Sequence, residues 1–276
     1  MRTAEWIQIA FVSVLALAAW ATPLSKRRRV RVTLLALIAI SVIVTARLLT
    51  RFLPELASEV VHDWLPGALF LVPYWQTGQF FTAPNPNVQQ RLVAFDRQIF
   101  NVLLSKGARN LGSSFAVFLE IAYLTVYPLV PVGLGLLYIA GMRGYADYYW
   151  TVVLLATYVC YATTPFVKAL PPRLLSSTEA ISEIPRTSPR RFNDWIVRNA
   201  SIHAITFPSA HVASAFAVSL VVLQLLPWVG AISLCLSISI AVACVLGGYH
   251  YAADVLAGTV VAVIAFVSIQ LVSGRA

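Results

Sequence analysis

Two histidines, a carboxylate, an arginine and a serine stand out in a chain that is otherwise largely apolar. They belong to three short motifs, which are Pro171-Pro172-Arg173, Pro208-Ser209-Ala210-His211 and Tyr249-His250-Tyr251-Ala252-Ala253-Asp254. Ionisable side chains at bilayer depth are costly and persist mainly where they line a site or a pathway. An imidazole beside a carboxylate can act as nucleophile or base, and a cation with a hydroxyl can bind an anion. The residue types therefore predict a site for an anionic group.

The third motif places an imidazole and a carboxylate on one helix face. His250 and Asp254 are spaced i and i+4. A carboxylate in that position can accept the Nδ1–H of the imidazole, which fixes the tautomer and leaves Nε2 with a free lone pair. A purely structural polar pair is the alternative interpretation of these two residues.

The other two motifs supply donors to an anion. Pro208 suits the first turn of a helix, so Ser209 and His211 are predicted to lie where free backbone N–H groups and the helix dipole favour an anion. His211 could donate a proton to a leaving oxygen. Arg173 could hold a phosphate through two parallel hydrogen bonds. Taken alone, the second motif would be a helix cap and the first a membrane-boundary anchor.

The composition is that of an integral membrane protein. Of 276 residues, 59% are hydrophobic and only 11% are charged, whereas soluble domains carry roughly 25% charged residues. The formal charge is +9, but the 20 Lys and Arg lie in or beside the segments between apolar runs, so nucleic acid is not an expected partner. Three cysteines (Cys160, Cys235 and Cys244) all fall inside apolar runs without metal spacing.

We predict an all-α fold, a polytopic transmembrane helical bundle of about eight spans. A span needs about 20 mostly apolar residues. The segments that qualify are 6–24, 31–50, 59–81, 113–139, 146–167, 208–226, 229–248 and 252–273. The third is the weakest because it holds several polar residues and prolines. The first has its basic cluster after it, which favours a retained span over a signal peptide. We divide the chain into an N-terminal transmembrane hairpin, 1–52, and a catalytic membrane domain, 53–276.

Two polar stretches interrupt the apolar segments. Residues 82–112 open with a turn signal and continue with helical spacing of apolar residues, which predicts an amphipathic helix at the interface. Residues 174–207 are rich in Ser, Thr, Arg and Pro, with Trp195 and Ile196 as candidate interfacial anchors. This second stretch is either a lid over the site or an ordinary solvated loop.

The spacing of the motifs places them on one membrane face. His211 and His250 are 39 residues apart, and a helix of that length spans about 58 Å, which is two crossings of the ~30 Å hydrocarbon core. Arg173 follows the preceding span, at the same face. Segments 26–31, 82–112 and 167–207 share that face and hold most of the cations. The positive-inside rule would make this face cytoplasmic.

These residues resemble the type 2 phosphatidic acid phosphatase (PAP2) superfamily, and most of all its branch of inositol phosphorylceramide synthases and other sphingolipid headgroup transferases. The resemblance covers roughly 59–273, a six-span core. It implies that His250 is a nucleophile forming a phosphohistidine, that Asp254 orients it and that His211 protonates the departing alcohol. Arg173 and Ser209 would bind the phosphoryl oxygens. The resemblance places the site on the extracytoplasmic side, against the positive-inside rule, so the side stays open.

The chain departs from the common family pattern at two places. Lys168 is followed by four residues before Arg173, where the family has six, and Ala243-Cys244 stand where the third motif usually has Ser-Arg. One phosphate-binding cation is therefore missing. Lys168 could replace it, or one of three arginines of the polar loop, which are Arg186, Arg190 and Arg191. No metal or other cofactor is expected, because no third ligand stands at zinc spacing.

The leading hypothesis is a membrane phosphatase or phosphotransferase acting on a lipid with a phosphate or diphosphate. Water, an alcohol or a second lipid would accept the phosphoryl group. The alternative is a non-catalytic lipid-anion transporter or binding protein. The expected location is a multi-pass position in the inner membrane of a bacterial-type cell. The substrate, the choice between hydrolysis and transfer, and the oligomeric state stay open.

Overall fold

The computed structural model describes residues 1–103, 112–175 and 187–274, and these ranges are helical with no β-strand among them. The helices, in chain order from α1 to α12, are Thr3–Ala21, Lys26–Leu49, Glu55–Leu69, Val72–Gly78, Pro86–Leu103, Ser113–Leu124, Val126–Ile139, Ala146–Thr163, Ser188–Ala200, Ala210–Leu225, Pro227–Leu246 and Ala252–Ser273. The predicted all-α class is therefore confirmed. Arg186 and parts of the two polar stretches lie outside the described residues.

Among the described residues, four helices are long and apolar enough to cross a membrane: α1, α2 with the turn that follows it, α11 and α12. The pair α6 and α7 makes a fifth if it counts as one span, although it bends by 55° at its break. The remaining predicted spans are shorter: α10 has 16 residues, about 24 Å of helix against ~30 Å of hydrocarbon. Segment 59–81 is divided between α3 and α4. A count of eight spans stays a prediction.

The core is built around α8. Most side chains of this helix are buried, including Tyr149 and Trp150, and it packs against α1, α10 and α12. Burial of such large aromatic side chains contributes much of the packing energy of a core. Because α8 ends at Thr163 and the chain then turns towards Arg173, this central helix sets where the first motif lies.

The N-terminal hairpin packs directly on the rest of the bundle. The backbone N–H groups of Thr3 and Ala4 donate to the Asp147 carboxylate at 3.1 and 2.9 Å, and Phe11 stacks on Tyr158 with ring centroids 4.6 Å apart. These contacts tie α1 to both ends of α8. A domain boundary at residue 52 stays a prediction.

The basic cluster after α1 lies at the same end of the bundle as the three motifs. Arg28 donates to the backbone oxygens of Gln79 and Phe81, at the end of α4. A few residues further on, the N–H of Asn85 donates to the Lys168 oxygen at 2.7 Å, close to the first motif. Together α3 and α4 therefore carry the chain from the far end of the bundle to this end.

The two polar stretches contain helices in the structure. The predicted helix in 82–112 is present as α5, and its Leu92 is buried against Ile205 and Tyr251. The second stretch, interpreted from sequence as a lid or a loop, contains α9. That helix begins at a Thr187 cap and turns Arg190 and Asn193 inward, while Trp195 is exposed.

Candidate active site

Backbone hydrogen bonds join the three motifs at one end of the bundle. The N–H of Arg173 donates to the Gly248 oxygen at 2.9 Å, which ties the first motif to the third. The N–H of Ser209 donates to the Asp254 oxygen at 2.9 Å, which ties the second motif to the third. Both contacts cross between helices far apart in the chain, so the packing of the bundle holds the three motifs together.

His250 and Asp254 form the buried pair that their spacing predicts. The Nδ1 of His250 lies 3.3 Å from Asp254 Oδ2, and the N–H of Tyr251 donates to the same oxygen at 3.1 Å. Burial lowers the pKa of His250 from 6.5 to about 4, so the imidazole is neutral near pH 7. A neutral ring that donates from Nδ1 has its lone pair on Nε2, which is the form that a nucleophile requires.

The second imidazole stands close to the first. The ring centroids of His211 and His250 are 5.6 Å apart, and tyrosines flank His211: Tyr123 stacks on it at 5.5 Å and Tyr127 meets it edge-on at 5.9 Å. The Nδ1 of His211 is buried without a hydrogen-bond partner among the described residues. Two rings this close can contact the same bound group, one through a lone pair and the other through a proton donor.

Ser209 is fully buried and caps α10. Its side-chain oxygen accepts from the N–H of Val212 at 3.4 Å. This arrangement satisfies one of the free N–H groups of the first turn and keeps the hydroxyl proton as a donor. Ser209 lies against Gly258 of α12, where a Cβ atom would stand 2.6 Å from the Ser209 carbonyl oxygen. The glycine allows the two motif-bearing helices to approach this closely.

Arg173 lies among acidic and aromatic side chains. Its guanidinium carbon is 4.4 Å from the ring centre of Tyr249, and its Nη2 is 2.7 Å from Asp194 Oδ1. Burial acts against the charge of this guanidinium, but Tyr249, Glu120 and Asp194 outweigh it and raise the pKa of Arg173. The cation is therefore held charged beside the third motif, where a cation–π contact and an ion pair fix its position.

A buried carboxylate that the sequence analysis did not single out organises this side of the site. Glu120 of α6 accepts from the Tyr249 hydroxyl at 2.5 Å, from Arg190 at 3.1 Å and from Asn193 at 2.6 Å. Its Oε1 also lies 3.9 Å from Arg173. The available signal was a lone acidic residue inside the apolar run 113–139, which by the cost of burying charge marks a functional or paired position.

The candidates for the missing phosphate-binding cation make different contacts in the structure. Lys168 donates from Nζ to the Thr82 hydroxyl at 3.4 Å and contacts none of the motif side chains described above. Arg190 is buried on Glu120, and Arg191 is exposed and donates to Ser188. Of the candidates for the missing cation, Arg190 is thus the one whose contacts adjoin those of Arg173.

Three other polar residues that the sequence left without a role have definite positions. His203 is exposed in the loop before the second motif. His62 is buried in α3 and contacts Glu5. Asp96 of α5 is buried, and its Oδ1 accepts from the N–H of Ala252 at 2.8 Å, at the first residue of α12.

No group of three or more His, Cys, Asp or Glu side chains within the described ranges is arranged to hold a metal ion. The candidate site has two neighbouring imidazole rings, a carboxylate in contact with one of them, and a hydroxyl and a guanidinium nearby. This combination can attack, protonate and bind a phosphoryl group.

Comparison with known proteins places this arrangement in a family. No curated protein and no solved structure matches the chain at a significant level. The family model of the PAP2 superfamily matches residues 90–268, a range that includes all three motifs and also Glu120. Membership points to phosphatase-type activity on a phosphate-bearing lipid. With about two thirds of its length matched, this chain belongs to the PAP2 superfamily.

Proposed function

We propose that this protein is a membrane lipid-phosphate phosphatase or phosphotransferase that works through a phosphohistidine. The Nε2 of His250 attacks phosphorus, and the bond from phosphorus to the lipid oxygen breaks. His211 takes up a proton when the anionic phosphate group binds beside it and donates that proton to the lipid oxygen, so the lipid leaves as an alcohol. The 5.6 Å between the two ring centroids carries the proposal, because two imidazoles this close can both reach one phosphate ester, the nucleophile at phosphorus and the acid at the leaving oxygen.

The surrounding groups support this division of roles. The Asp254 carboxylate, 3.3 Å from His250, holds the ring in the tautomer with a free Nε2 and stabilises the positive charge that develops on attack. Arg173 and the Ser209 hydroxyl are proposed to bind the phosphoryl oxygens. Phosphate binding then competes with Asp194 for Arg173, and Arg190 stands next to that pair as the second cation. Lys168 is the weaker candidate because its Nζ bonds to Thr82.

In a second step water or an alcohol attacks phosphorus and gives its proton to the now neutral His211, and the bond from phosphorus to Nε2 breaks, which returns His250 to its neutral form. We favour transfer to an alcohol-bearing lipid, as in the inositol phosphorylceramide synthase-like branch. The Pro171-Pro172-Arg173 and His250-Tyr251 variants of the motifs support this choice. So does the aromatic enclosure of His211 by Tyr123 and Tyr127, because an apolar surrounding suits a lipid acceptor and disfavours water.

The test follows the phosphorus of labelled lipid phosphates incubated with the purified full-length protein, each with and without ceramide-type or inositol-type partners. Label that moves to a partner lipid supports transfer, and free inorganic phosphate supports hydrolysis. Replacing the nucleophile in His250→Ala should lower turnover by about a thousandfold or more. The matched control is His203→Asn: this histidine is exposed at φ 54°, a conformation that asparagine tolerates.

The competing function is a non-catalytic lipid-anion transporter or binding protein. It predicts no turnover of any substrate by the wild type and unchanged lipid binding or transport in His250→Ala. Turnover that disappears in His250→Ala while lipid binding persists would exclude it. A phosphorylated wild-type protein that is acid-labile, and absent from His250→Ala, would identify the intermediate directly.

A further inference from the structure

An open cavity lies at the end of the bundle opposite to the three motifs. It has a volume of about 220 Å³, and its lining residues are Arg47, Thr50, Arg51, Ser58 and His62. The end of α2, the short turn of 50–52 and the first half of α3 form its walls. All of these residues precede residue 90, where the family match begins, so the cavity is separate from the site described above.

One wall of the cavity is fixed by buried hydrogen bonds. The Nδ1 of His62 lies 2.5 Å from Glu5 Oε1, and its Nε2 lies 3.0 Å from the Thr50 hydroxyl. Thr50 in turn donates to the Arg47 oxygen at 3.2 Å. These contacts join α1, α2 and α3, so the cavity is held open between ordered elements.

The other wall carries two guanidinium groups with no acidic partner. Arg47 and Arg51 are spaced i and i+4 and are both exposed, and within the described part of the chain neither makes a hydrogen bond or an ion pair through its side chain. Of the nearby carboxylates, Glu5 is bonded to His62 and Glu59 pairs with Arg143 at 3.3 Å, while the exposed Glu55 forms no ion pair with either arginine. Two free guanidinium groups beside a cavity match the geometry by which arginine binds phosphate oxygens.

The rim of the cavity is apolar on the side that faces outward. Phe52 is 87% exposed, and Leu49, Leu53 and Leu56 around it are also exposed. Since the long apolar helix α2 with its following turn ends here, these side chains lie at the level where a bilayer has its headgroups and upper acyl chains. Cations at headgroup level above exposed apolar residues are the arrangement by which basic pockets between spans bind anionic lipids.

We propose that this cavity is a binding site for the phosphate of an anionic membrane lipid, held by Arg47 and Arg51 with the acyl chains against Phe52. The Ser58 hydroxyl adds a donor from the cavity wall. The site lies at the opposite membrane face from His250, so its lipid is a bound structural or regulatory lipid distinct from the substrate.

The test measures lipid binding to the purified full-length protein in nanodiscs, with bound lipids counted by native mass spectrometry. Phosphatidylglycerol is the anionic probe and phosphatidylcholine the comparison lipid. The variant is Arg47→Gln/Arg51→Gln. The matched control is Arg27→Gln/Arg31→Gln, which removes two exposed arginines of the same spacing from the other end of α2, where they line no described cavity.

Loss of both guanidinium groups should weaken phosphatidylglycerol binding roughly tenfold or more, since each basic side chain near a membrane surface contributes several-fold to the affinity for anionic lipid. The control pair should change binding less than about threefold, because no cavity converges on those side chains. Equal losses in both pairs, or wild-type binding in Arg47→Gln/Arg51→Gln, would overturn the proposal by showing only diffuse attraction.

Competition with inorganic phosphate tests whether the cavity binds the phosphate group of a lipid or free phosphate. Competition between millimolar phosphate and phosphatidylglycerol in the wild type, and its loss in Arg47→Gln/Arg51→Gln, would support recognition of the phosphate group of a lipid. If inorganic phosphate stabilises the detergent-solubilised protein against thermal unfolding but phosphatidylglycerol does not bind, the proposed lipid occupant is wrong. The single variant Ser58→Ala leaves both charges in place and should fold normally. We expect it to lose less phosphatidylglycerol binding than Arg47→Gln/Arg51→Gln.

Discussion

At the scale of single residues, Glu120 is the point at which the ion pairs around the site converge. Its carboxylate accepts from Tyr249, Arg190 and Asn193, and it stands near Arg173. A buried carboxylate with this many donors is fully satisfied, and removing it leaves cations without a partner in a region of low dielectric. The charge balance around Arg173 and Arg190 therefore depends on one residue of α6.

We expect Glu120→Ala to lower the free energy of unfolding by about 3–5 kcal/mol, because the Arg190 charge is left buried and uncompensated. The measurement is denaturant unfolding in mixed micelles. The control is Glu55→Ala, an exposed position for which a change within about 0.5 kcal/mol is expected. The double variant Glu120→Leu/Arg190→Met should recover much of the free energy of unfolding that Glu120→Ala loses. If the losses of the single variants simply add in the double variant, Glu120 and Arg190 do not form a buried ion pair.

At the scale of elements, α12 fixes the third motif against the other two. Its first residue, Ala252, donates to Asp96 of α5, and Gly258 packs against Ser209 at the start of α10. Both contacts act on the backbone and so determine where His250 and Asp254 stand. The close approach of two helices at a glycine is the feature most sensitive to a single added atom.

Gly258→Ala should separate the second and third motifs, since the new methyl group would stand 2.6 Å from the Ser209 oxygen. We expect a loss of roughly 1–3 kcal/mol in stability together with a large fall in turnover. Gly135→Ala is the matched control: this helical glycine has no neighbour within 4 Å of an added Cβ, so stability should be unchanged or slightly increased. Similar behaviour of the two variants would show that the close approach is not required.

Asp96 links α5 to the start of α12, and its pKa gives this contact a pH dependence. Burial raises the pKa of Asp96 from 3.8 to about 7 in spite of the Ala252 hydrogen bond, and the nearby Asp254 adds to the rise. Between pH 3.8 and about pH 7 the folded state therefore binds more protons than the unfolded state. The contribution of Asp96 to stability is present below pH 3.8 and is lost as pH rises through about 7.

Asp96→Asn should remove the pH dependence of stability that Asp96 causes. It keeps an acceptor for the Ala252 N–H, so turnover should stay near wild type. Asp96→Ala loses the acceptor, and we expect it to cost about 0.5–2 kcal/mol, as other losses of a helix-start acceptor do. It should lower kcat more than it changes KM, because Asp96 positions the motif without touching the substrate. Thermal unfolding of the three proteins between pH 5 and pH 8 measures the effect, and parallel pH profiles would contradict it.

At the scale of the whole molecule, α3 and α4 determine which parts of the chain share a membrane face. The start of α3 lies near the beginning of α1, where Arg2 pairs with Asp63, whereas the end of α4 binds Arg28 and adjoins the loop before α5. This broken pair crosses the bundle although its helices, of 15 and 7 residues, are each too short to span a membrane alone. The basic cluster and the three motifs consequently lie at the same end.

We expect single cysteines at positions 27 and 203 to react with a membrane-impermeant maleimide from one side, and a cysteine at position 55 to react only from the other. Arg27→Cys, His203→Cys and Glu55→Cys change exposed residues and are made after the native cysteines are replaced by alanine. Labelling in sealed vesicles and after permeabilisation gives the side. Reaction of all three from the same side would show that α3 and α4 do not cross.

The sequence by itself determined the local features of this protein. Composition fixed the class, because a chain with 11% charged residues must bury its backbone in helices to enter a membrane. Helical periodicity paired His250 with Asp254, and a proline followed by a serine marked the start of α10. These are relations between residues at most a few positions apart, which the backbone geometry of a helix sets without reference to the rest of the fold.

Only the tertiary structure decided which residues meet across the bundle. Tyr249 and Glu120 are 129 positions apart, and no spacing rule joins them. The same holds for Arg190, which α9 turns inward while Lys168 bonds to Thr82, and for the cavity of Arg47 and Arg51. Such contacts depend on how whole helices pack and bend, and packing is a sum over many side chains that a pattern in one segment does not contain.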